Sequence, residues 1–422
     1  MRGARSAHGT ACRRCVVGLG AVVGVVALAG CHLGVKPVTY ELVDADDGNG
    51  LIGPTGVATG DIDGDGDLDA VATGSRGYAV LANDGTGEYT VDVPHVFIDM
   101  SAPSLADIDA DGDLDLVSHV RGLSPSQARV PLVIRNDGTG TFDSIEVVQP
   151  DPPPGELTAL VTADADGDGD VDLLAALRVG NERHVATYVN DGTGAFGPPA
   201  TYPLGFTSDT ATPTHLVAGD LDGDGDTDVL ATDTGDVTTP DGEVVEATVA
   251  MVGLNDGTGA FAAAGDPIEA GPNGSVWALT PTLADLDGDR DLDLAVGGPG
   301  SVTTLLGDGS GGFATPRSHG VRGTRAIDYL TSADIDEDGS IDLIGFSDIF
   351  DASSGFVAYG DGAGGVDEVH GVGTGTRLGS DGTPARDAEI TDLEGDGDPD
   401  ILFLAGSLGV VENNTKGRRP IH

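Results

Sequence analysis

DIDGDGDLD, residues 61–69, returns in variant form six more times along the chain: DIDADGDLD at 107–115, DADGDGDVD at 164–172, DLDGDGDTD at 220–228, DLDGDRDLD at 285–293, DIDEDGSID at 334–342 and DLEGDGDPD at 392–400. The steps between them are 46, 57, 56, 65, 49 and 58 residues. Such a period is too long for one turn of a small solenoid and suits a four-stranded propeller blade.

Each unit supplies the strands of such a blade. A short apolar run leads into the acidic loop, as at 56–62 and 216–221, and another leaves it, as at 68–73, 173–177 and 401–405. A third run ends in a turn, Asn83-Asp84-Gly85-Thr86-Gly87 and its counterparts at 136–140, 190–194 and 255–259, with looser versions at 307–312 and 360–365. Asp-Gly between extended runs signals a hairpin, because glycine takes positive φ without steric cost. Tyr89, Phe142, Phe196, Phe261 and Phe313 then open a fourth strand. The chain beyond residue 30 shows no helical periodicity.

The two ends complement each other. The seventh unit stops after its third strand, near residues 410–414, and Tyr40-Glu41-Leu42-Val43 stands alone ahead of the first loop. Tyr40 lies 21 residues before Asp61; Phe142, Phe196, Phe261 and Phe313 lie 22, 24, 24 and 21 before their next loops. The expectation is an all-β, seven-bladed β-propeller over residues 37–414, with a metal loop between the first two strands of each blade. Residues 39–43 are expected to pair near 410–412, closing the ring and covering two bare sheet edges. Residues 415–422 form a short basic tail.

Within each loop the acids alternate with residues free to face away. Position 1 holds Asp61, Asp107, Asp164, Asp220, Asp285, Asp334 and Asp392; position 3 holds Asp63, Asp109, Asp166, Asp222, Asp287, Asp336 and Glu394. Position 5 holds Asp65, Asp111, Asp168, Asp224, Asp289, Asp338 and Asp396. Position 7, where a backbone carbonyl can also serve, holds Asp67, Asp113, Asp170, Asp226, Asp291, Ser340 and Asp398. Position 9 holds Asp69, Asp115, Asp172, Asp228, Asp293, Asp342 and Asp400. Hard oxygen ligands at this spacing suit Ca²⁺, which accepts six to eight of them flexibly, better than Mg²⁺. A like-charge pair about 4 Å apart costs about 4 kcal/mol at an effective dielectric near 20, so a cation is the natural counterweight. The loops are not helix-flanked EF-hands: position 12, where such a loop needs Glu, holds Ala72, Ser118, Ala175, Ala231, Val296, Gly345 and Phe403. Up to seven Ca²⁺ ions are expected. The fifth site is weakened by Arg290 at position 6 and the seventh by Glu394 and Pro399.

The 422 residues include 70 acidic and 20 basic ones, for a formal charge of −50. That field repels nucleic acid and attracts cations. The first 30 residues read as a signal: four Arg, then an uncharged stretch over 16–29, too short to span a bilayer. It ends in Leu28-Ala29-Gly30-Cys31, which resembles the lipobox of bacterial lipoproteins. That resemblance implies that Cys31 is lipidated and becomes the mature N-terminus, with a short linker over 31–36. Cys12 and Cys15 leave with the signal, so no internal disulfide remains. The expected location is exported and membrane-anchored, at the outer membrane or cell surface.

The seven acidic loops resemble the FG-GAP and VCBS repeats of integrin α-chains and many bacterial surface proteins, across roughly residues 37–414. The resemblance implies the propeller and places the calcium loop between two strands of a blade. It does not fix a function, since the same repeats also decorate lyases and other enzymes. The histidines, among them His95, His119, His184, His215, His319 and His370, are scattered singly, and H-E-x-x-H, G-x-S-x-G and Walker motifs are absent. Trp277 is the only tryptophan, and aromatics are too scarce for a sugar-stacking platform. The expected role is a non-enzymatic scaffold that binds a protein or glycan on the face opposite the calcium loops. Its longest loops there are expected at 203–214, 232–246, 347–355 and 371–386. The alternatives are a calcium-dependent, lyase-type polysaccharide enzyme, which a basic and aromatic cluster in the central cleft would favour, and a structural envelope lipoprotein.

Overall fold

The run that leaves each acidic loop is apolar on both faces, so it can only be an inner strand covered from both sides. The computed structural model describes residues 38–40, 53–86, 89–94, 98–121, 129–148, 155–207, 215–238, 244–271, 280–321, 327–347, 354–373, 387–404, 408–411 and 413. Among these residues there is no helix.

The strands form seven antiparallel sheets. A first strand, β1 (Val38–Tyr40), stands apart from its neighbours in sequence. Blade 1 is β2 (Pro54–Gly60), β3 (Asp69–Gly74), β4 (Gly77–Asn83) and β5 (Tyr89–Asp92). Blade 2 is β6 (Met100–Ala106), β7 (Asp115–Arg121), β8 (Arg129–Asn136) and β9 (Phe142–Val147). Blade 3 is β10 (Glu156–Ala163), β11 (Asp172–Val179), β12 (Glu182–Tyr188) and β13 (Ala200–Thr207). Blade 4 is β14 (His215–Gly219), β15 (Asp228–Thr238), β16 (Val244–Asn255) and β17 (Phe261–Ala263), with β18 (Ile268–Glu269) also paired to the long β16. Blade 5 is β19 (Pro281–Ala284), β20 (Asp293–Gly298), β21 (Ser301–Leu305) and β22 (Arg317–Gly320). Blade 6 is β23 (Ile327–Ala333), β24 (Asp342–Ser347), β25 (Ser354–Gly360) and β26 (Val366–Gly373). Blade 7 is β27 (Asp387–Thr391), β28 (Asp400–Leu404) and β29 (Leu408–Val411), with β1 as its fourth strand.

The first strands touch one another in a closed circle: β2 with β6, then β10, β14, β19, β23, β27 and back to β2. This is the axis of a seven-bladed propeller. The second strands are buried along their length, as in β3, β20 and β28, while the outer β9 buries only Phe142. The core is divided among seven apolar clusters, and each joins two adjacent blades. One packs Ala70, Ala72 and Leu81 of blade 1 against Leu402, Leu404 and Val410 of blade 7. The next packs Val71 and Val80 against Leu116, Leu132 and Ile134 of blade 2. No blade holds a core of its own, so each face is stable only against its neighbours.

Two details differ from the sequence reading. β1 pairs Val38 with Val410, Thr39 with Gly409 and Tyr40 with Leu408, a register that starts one residue earlier than expected; residues 41–43 and 412 lie outside the described residues. The stretch 232–246 is mostly not loop: β15 and β16 pair through to Asp236 with Glu246, Val237 with Val245 and Thr238 with Val244. Branched Val and Thr at these positions favour the extended ladder. Cys31, Trp277, the basic tail and most of the other expected long loops also lie outside the described residues.

Candidate metal centres and central pocket

Every acidic loop connects the first strand of its blade to the second, so all seven sit on one face. The bend has a repeated mechanism. In loop 1 the Asp61 carboxylate accepts the N–H of Gly64 at 2.9 Å and of Gly66 at 3.2 Å, folding the chain around position 1. Positions 3 and 5 cap the amides two residues on, Asp65 N to Asp63 Oδ1 at 3.3 Å and Asp67 N to Asp65 Oδ1 at 3.0 Å. The fold needs positive φ at positions 4 and 6: Gly64 has +74° and Gly66 +96°. Ala110 and Glu337 take position 4 at +58°, and Arg290 takes position 6 at +83°. Each accepts backbone strain of order 1 kcal/mol that glycine avoids. The Arg290 amide still reaches Asp285 at 3.0 Å, so the fifth loop keeps its shape.

Position 9 is the keystone of each loop. Asp69 is 1% exposed; its Oδ2 accepts Ile62 N at 3.0 Å and its Oδ1 accepts Asn83 N, at the end of the third strand, at 2.8 Å. The same two bonds recur at Asp115, Asp172, Asp228, Asp293, Asp342 and Asp400. The third-strand Asn also reaches across to the preceding blade. Asn136 Nδ2 donates to Ile62 O of blade 1 at 2.7 Å, Asn190 to Ile108 O at 2.7 Å, Asn255 to Ala165 O at 2.7 Å, Asn413 to Ile335 O at 2.8 Å and Asn83 to Leu393 O at 2.8 Å. Where Gly307 and Gly360 replace Asn, a turn amide makes the bond instead: Gly311 N to Leu221 O at 2.9 Å and Gly364 N to Leu286 O at 3.1 Å. All seven blade junctions, including blade 7 to blade 1, therefore carry the same latch onto position 2 of an acidic loop.

The loops also fit a cation. In five named groups the carboxylate oxygens of three acids lie within 4.8 Å of one another: Asp61, Asp63 and Asp69; Asp107, Asp109 and Asp111; Asp164, Asp166 and Asp172; Asp220, Asp222 and Asp228; Asp285, Asp287 and Asp289. Position 3 shows the cost of assembling them. Asp63, Asp166, Asp222, Asp287 and Asp336 are pushed above the usual carboxylate range, by burial first and then by the neighbouring Asp at position 5. Asp109 and Asp166 each bury an Oδ1 with no hydrogen-bond partner. An unpartnered buried acceptor beside other carboxylates is what a coordinated cation satisfies. Position 7 points elsewhere. The carboxylate of Asp67 lies against Gly85, so close that a Cβ there would stand 2.4 Å from Oδ2, and Asp113, Asp170, Asp226 and Asp291 lie likewise against Gly138, Gly192, Gly257 and Gly309.

The second loop contains a group that sequence reasoning passed over. From β8, Arg135 Nη1 donates to Asp115 Oδ2 at 2.6 Å and stands 3.8 Å from Asp109 Oδ2, while its Nη2 donates to Gly194 O of blade 3 at 3.1 Å. The equivalent residue, just before the third-strand Asn or Gly, is Ala82, Val189, Leu254, Leu306, Tyr359 or Glu412 elsewhere. Only blade 2 places a cation there.

On the opposite face the channel opens into a cavity of about 610 Å³. Its lining gathers the starts of the first strands or the residues just before them from all seven blades: Thr55, Ser101, Thr158, His215, Thr280, Tyr329 and Asp387, joined by Asp99, His119 and Arg129 of blade 2. His119 is 3% exposed, and burial first, then the Arg129 charge, pulls it down to about 3, so it is a neutral imidazole. Asp387 is raised to about 7 by burial, against the amides of Val57 and Ala388 that its oxygens accept at 2.9 and 3.0 Å. Tyr329 is held well above its ordinary value by burial and donates to Ala388 O at 2.7 Å.

Comparison with known proteins identifies the repeat. A family model described as FG-GAP-like repeat matches residues 61–118, 166–231 and 285–345, each match running from one acidic loop into the strand after the next. The chain contains FG-GAP-like repeats. Among solved structures, the FG-GAP propeller is similar to one described as the basis of specific recognition of non-reducing terminal N-acetylglucosamine by an Agrocybe aegerita lectin. The two share 22% identity over 80% of each chain, with a TM-score of 0.53, a likeness of fold. The V. cholerae biofilm matrix protein Bap1 aligns over 92% of each chain at 12% identity and a TM-score of 0.43. No curated protein sequence matches significantly.

The FG-GAP scaffold thus sorts the expected site residues into two sets. Positions 1 and 3 converge in every named group, joined by position 5 in two and by position 9 in three. His119 and His215, read from sequence as isolated histidines, come together at the pocket. The available signal was position: both sit in strands at the pocket end, the side away from the loops.

Proposed function

We propose that the protein is an exported, calcium-stabilised FG-GAP propeller, tethered through a lipid on Cys31, that captures a protein or glycan at the cell surface. The observation that supports this reading most is the division between faces: seven first strands end in acidic loops at one side and begin around one polar pocket at the other. The loop face consolidates the fold, and the pocket face is left for a ligand. Ca²⁺ is held by positions 1, 3, 5 and 9 and offsets the repulsion among them.

A second reading, a calcium-dependent lyase-type enzyme, is favoured by His119, Arg129, His215 and Tyr329 meeting in the channel. General-base work near neutrality asks for a group titrating near the working pH. His119 lies far below that and Tyr329 far above it, and Asp387, which burial brings to about 7, has both carboxylate oxygens engaged by the amides of Val57 and Ala388. Capture without chemistry is therefore the better fit.

Two measurements test the proposal. Melting midpoints with chelator and with excess Ca²⁺ should differ widely, because ions binding only the folded state each add RT ln(1 + [L]/Kd); equal midpoints would end the calcium assignment. Fatty-acid labelling should mark the wild type and miss Cys31→Ser, and the labelled protein should retain glycan or cell-surface binding when Ca²⁺ is present.

A further inference from the structure

The pocket is polar but not uniformly so. Hydroxyls come from Thr55, Ser101, Thr158, Thr280 and Tyr329. Asp387 is occupied by two backbone amides. Arg129 differs from the rest. It is half-buried in the wall, its Nη1 stands 3.4 Å from His119 Nε2, and no carboxylate of the described residues is within ion-pair distance. In a chain with 70 acids and 20 basic residues, a half-buried guanidinium without an acid is anomalous. Its companion cannot neutralise it. Arginine only donates, so Nε2 of His119 must accept, whether from Arg129 or from Ser101 Oγ at 3.0 Å. The ring proton is then on Nδ1, which is buried without a partner. The wall therefore holds, in a lining that also includes Asp99, one permanent positive charge and an unsatisfied donor side by side, ringed by hydroxyls.

We propose that this pocket binds a sugar acid, pairing its carboxylate with Arg129 and its hydroxyls with Ser101 and the threonines around the channel mouth. The cavity volume lies in the range of small-molecule sites. A planar guanidinium suits a carboxylate, which it can hold through two parallel bonds. Hydroxyls that both donate and accept suit a polyol without demanding an aromatic platform. This inference rests on the capture reading above and names its ligand class.

Calorimetry on the calcium-loaded full chain provides the test, with glucuronate, galacturonate and N-acetylneuraminate against glucose, galactose and N-acetylglucosamine. A charge-assisted pair predicts that at least one acid outbinds its neutral counterpart by about ten- to a hundredfold. Arg129→Gln should erase that preference and Arg129→Lys should keep part of it, with melting midpoints near wild type. Arg317→Gln, on the exposed edge of blade 5, should change nothing. Equal binding of acids and neutral sugars overturns the sugar-acid assignment and leaves the scaffold reading standing. So does competition by inorganic phosphate as strong as by the best acid, which would mark a plain anion site. If no sugar binds but cells or proteins do, the inference alone falls. If nothing binds, both fall.

Discussion

At the scale of single residues, charge placed inside the protein matters more than charge counted in the sequence. Arg135 carries its positive end into the second loop, against Asp115 and near Asp109. A tethered cation and a bound one compete for the same oxygens. The second loop is therefore expected to fill last, and Arg135→Met should tighten one calcium site by at least about tenfold. Calorimetric Ca²⁺ titration of both proteins checks this; identical isotherms would remove Arg135 from the argument. Arg183 makes the opposite point. At 1% exposure it meets Asp233, at 0%, across the junction of blades 3 and 4. Two charges so far from water depend on each other, so Arg183→Ala strands Asp233 and should cost about 3–5 kcal/mol. Arg183→Met with Asp233→Leu should recover most of it, as read by denaturant unfolding. A single variant as stable as wild type would show that water reaches the pair.

At the scale of strands and loops, the unit of construction is a loop, its own third strand and the next blade's. Asn136 satisfies Leu114 O in its own loop at 3.2 Å and Ile62 O in the neighbour's at 2.7 Å. Asn136→Ala leaves two buried carbonyls without a donor, a loss of about 2–3 kcal/mol with little change in calcium binding. Thermal unfolding with and without Ca²⁺ separates those two effects. Loop and hairpin positions were legible in the sequence because each rests on local chemistry: Asp capping amides two to five residues away, and Gly at positive φ. The latch, Arg135 and the pocket were not, since each joins residues that meet only when blades stack, such as Asn136 and Ile62, 74 positions apart. The extended β15–β16 hairpin was missed for another reason: its Asp-rich stretch reads as loop, while the register of β15 with β16 decides otherwise. The first strand of blade 7 adds a pH effect. Burial raises Asp387 to about 7 and Glu389 to about 8, in Glu389 with the Asp387 charge adding to it. Their folded values exceed the unfolded ones, so the fold favours their protonated forms. Stability from this pair is whole below about pH 4 and is lost as pH rises through 7 and 8. The calcium-loaded protein should melt higher near about pH 6 than near about pH 8, and Asp387→Asn with Glu389→Gln should flatten that slope.

At the scale of the molecule, the apolar core and the latches are shared between neighbours, so the ring has no independent part. Seven apolar clusters and seven latches each span a junction, and the junction of blade 7 with blade 1 uses the same parts as the rest, Leu402 and Leu404 against Ala70 and Leu81, and Asn83 onto Leu393. Blade 7 differs in one respect: its outer strand comes from the other end of the chain, through the pairing of Val38–Tyr40 with Leu408–Val410. β29 is fully buried across Leu408–Val411, which requires cover on its outer edge. Removing residues 37–45 should bare that edge while leaving all seven loops and latches intact. An uncovered strand edge pairs readily with another chain. The shortened protein should therefore unfold several degrees earlier as one cooperative transition, because blade 7 touches blades 6 and 1 and cannot loosen alone. It should also self-associate with rising concentration, read by light scattering during size-exclusion chromatography. Its calcium stoichiometry should match that of the full chain, since no loop residue is lost. A shortened chain that stays monomeric and melts with the parent would show that β1 is an accessory strand and that the seven blades with their latches close the ring unaided.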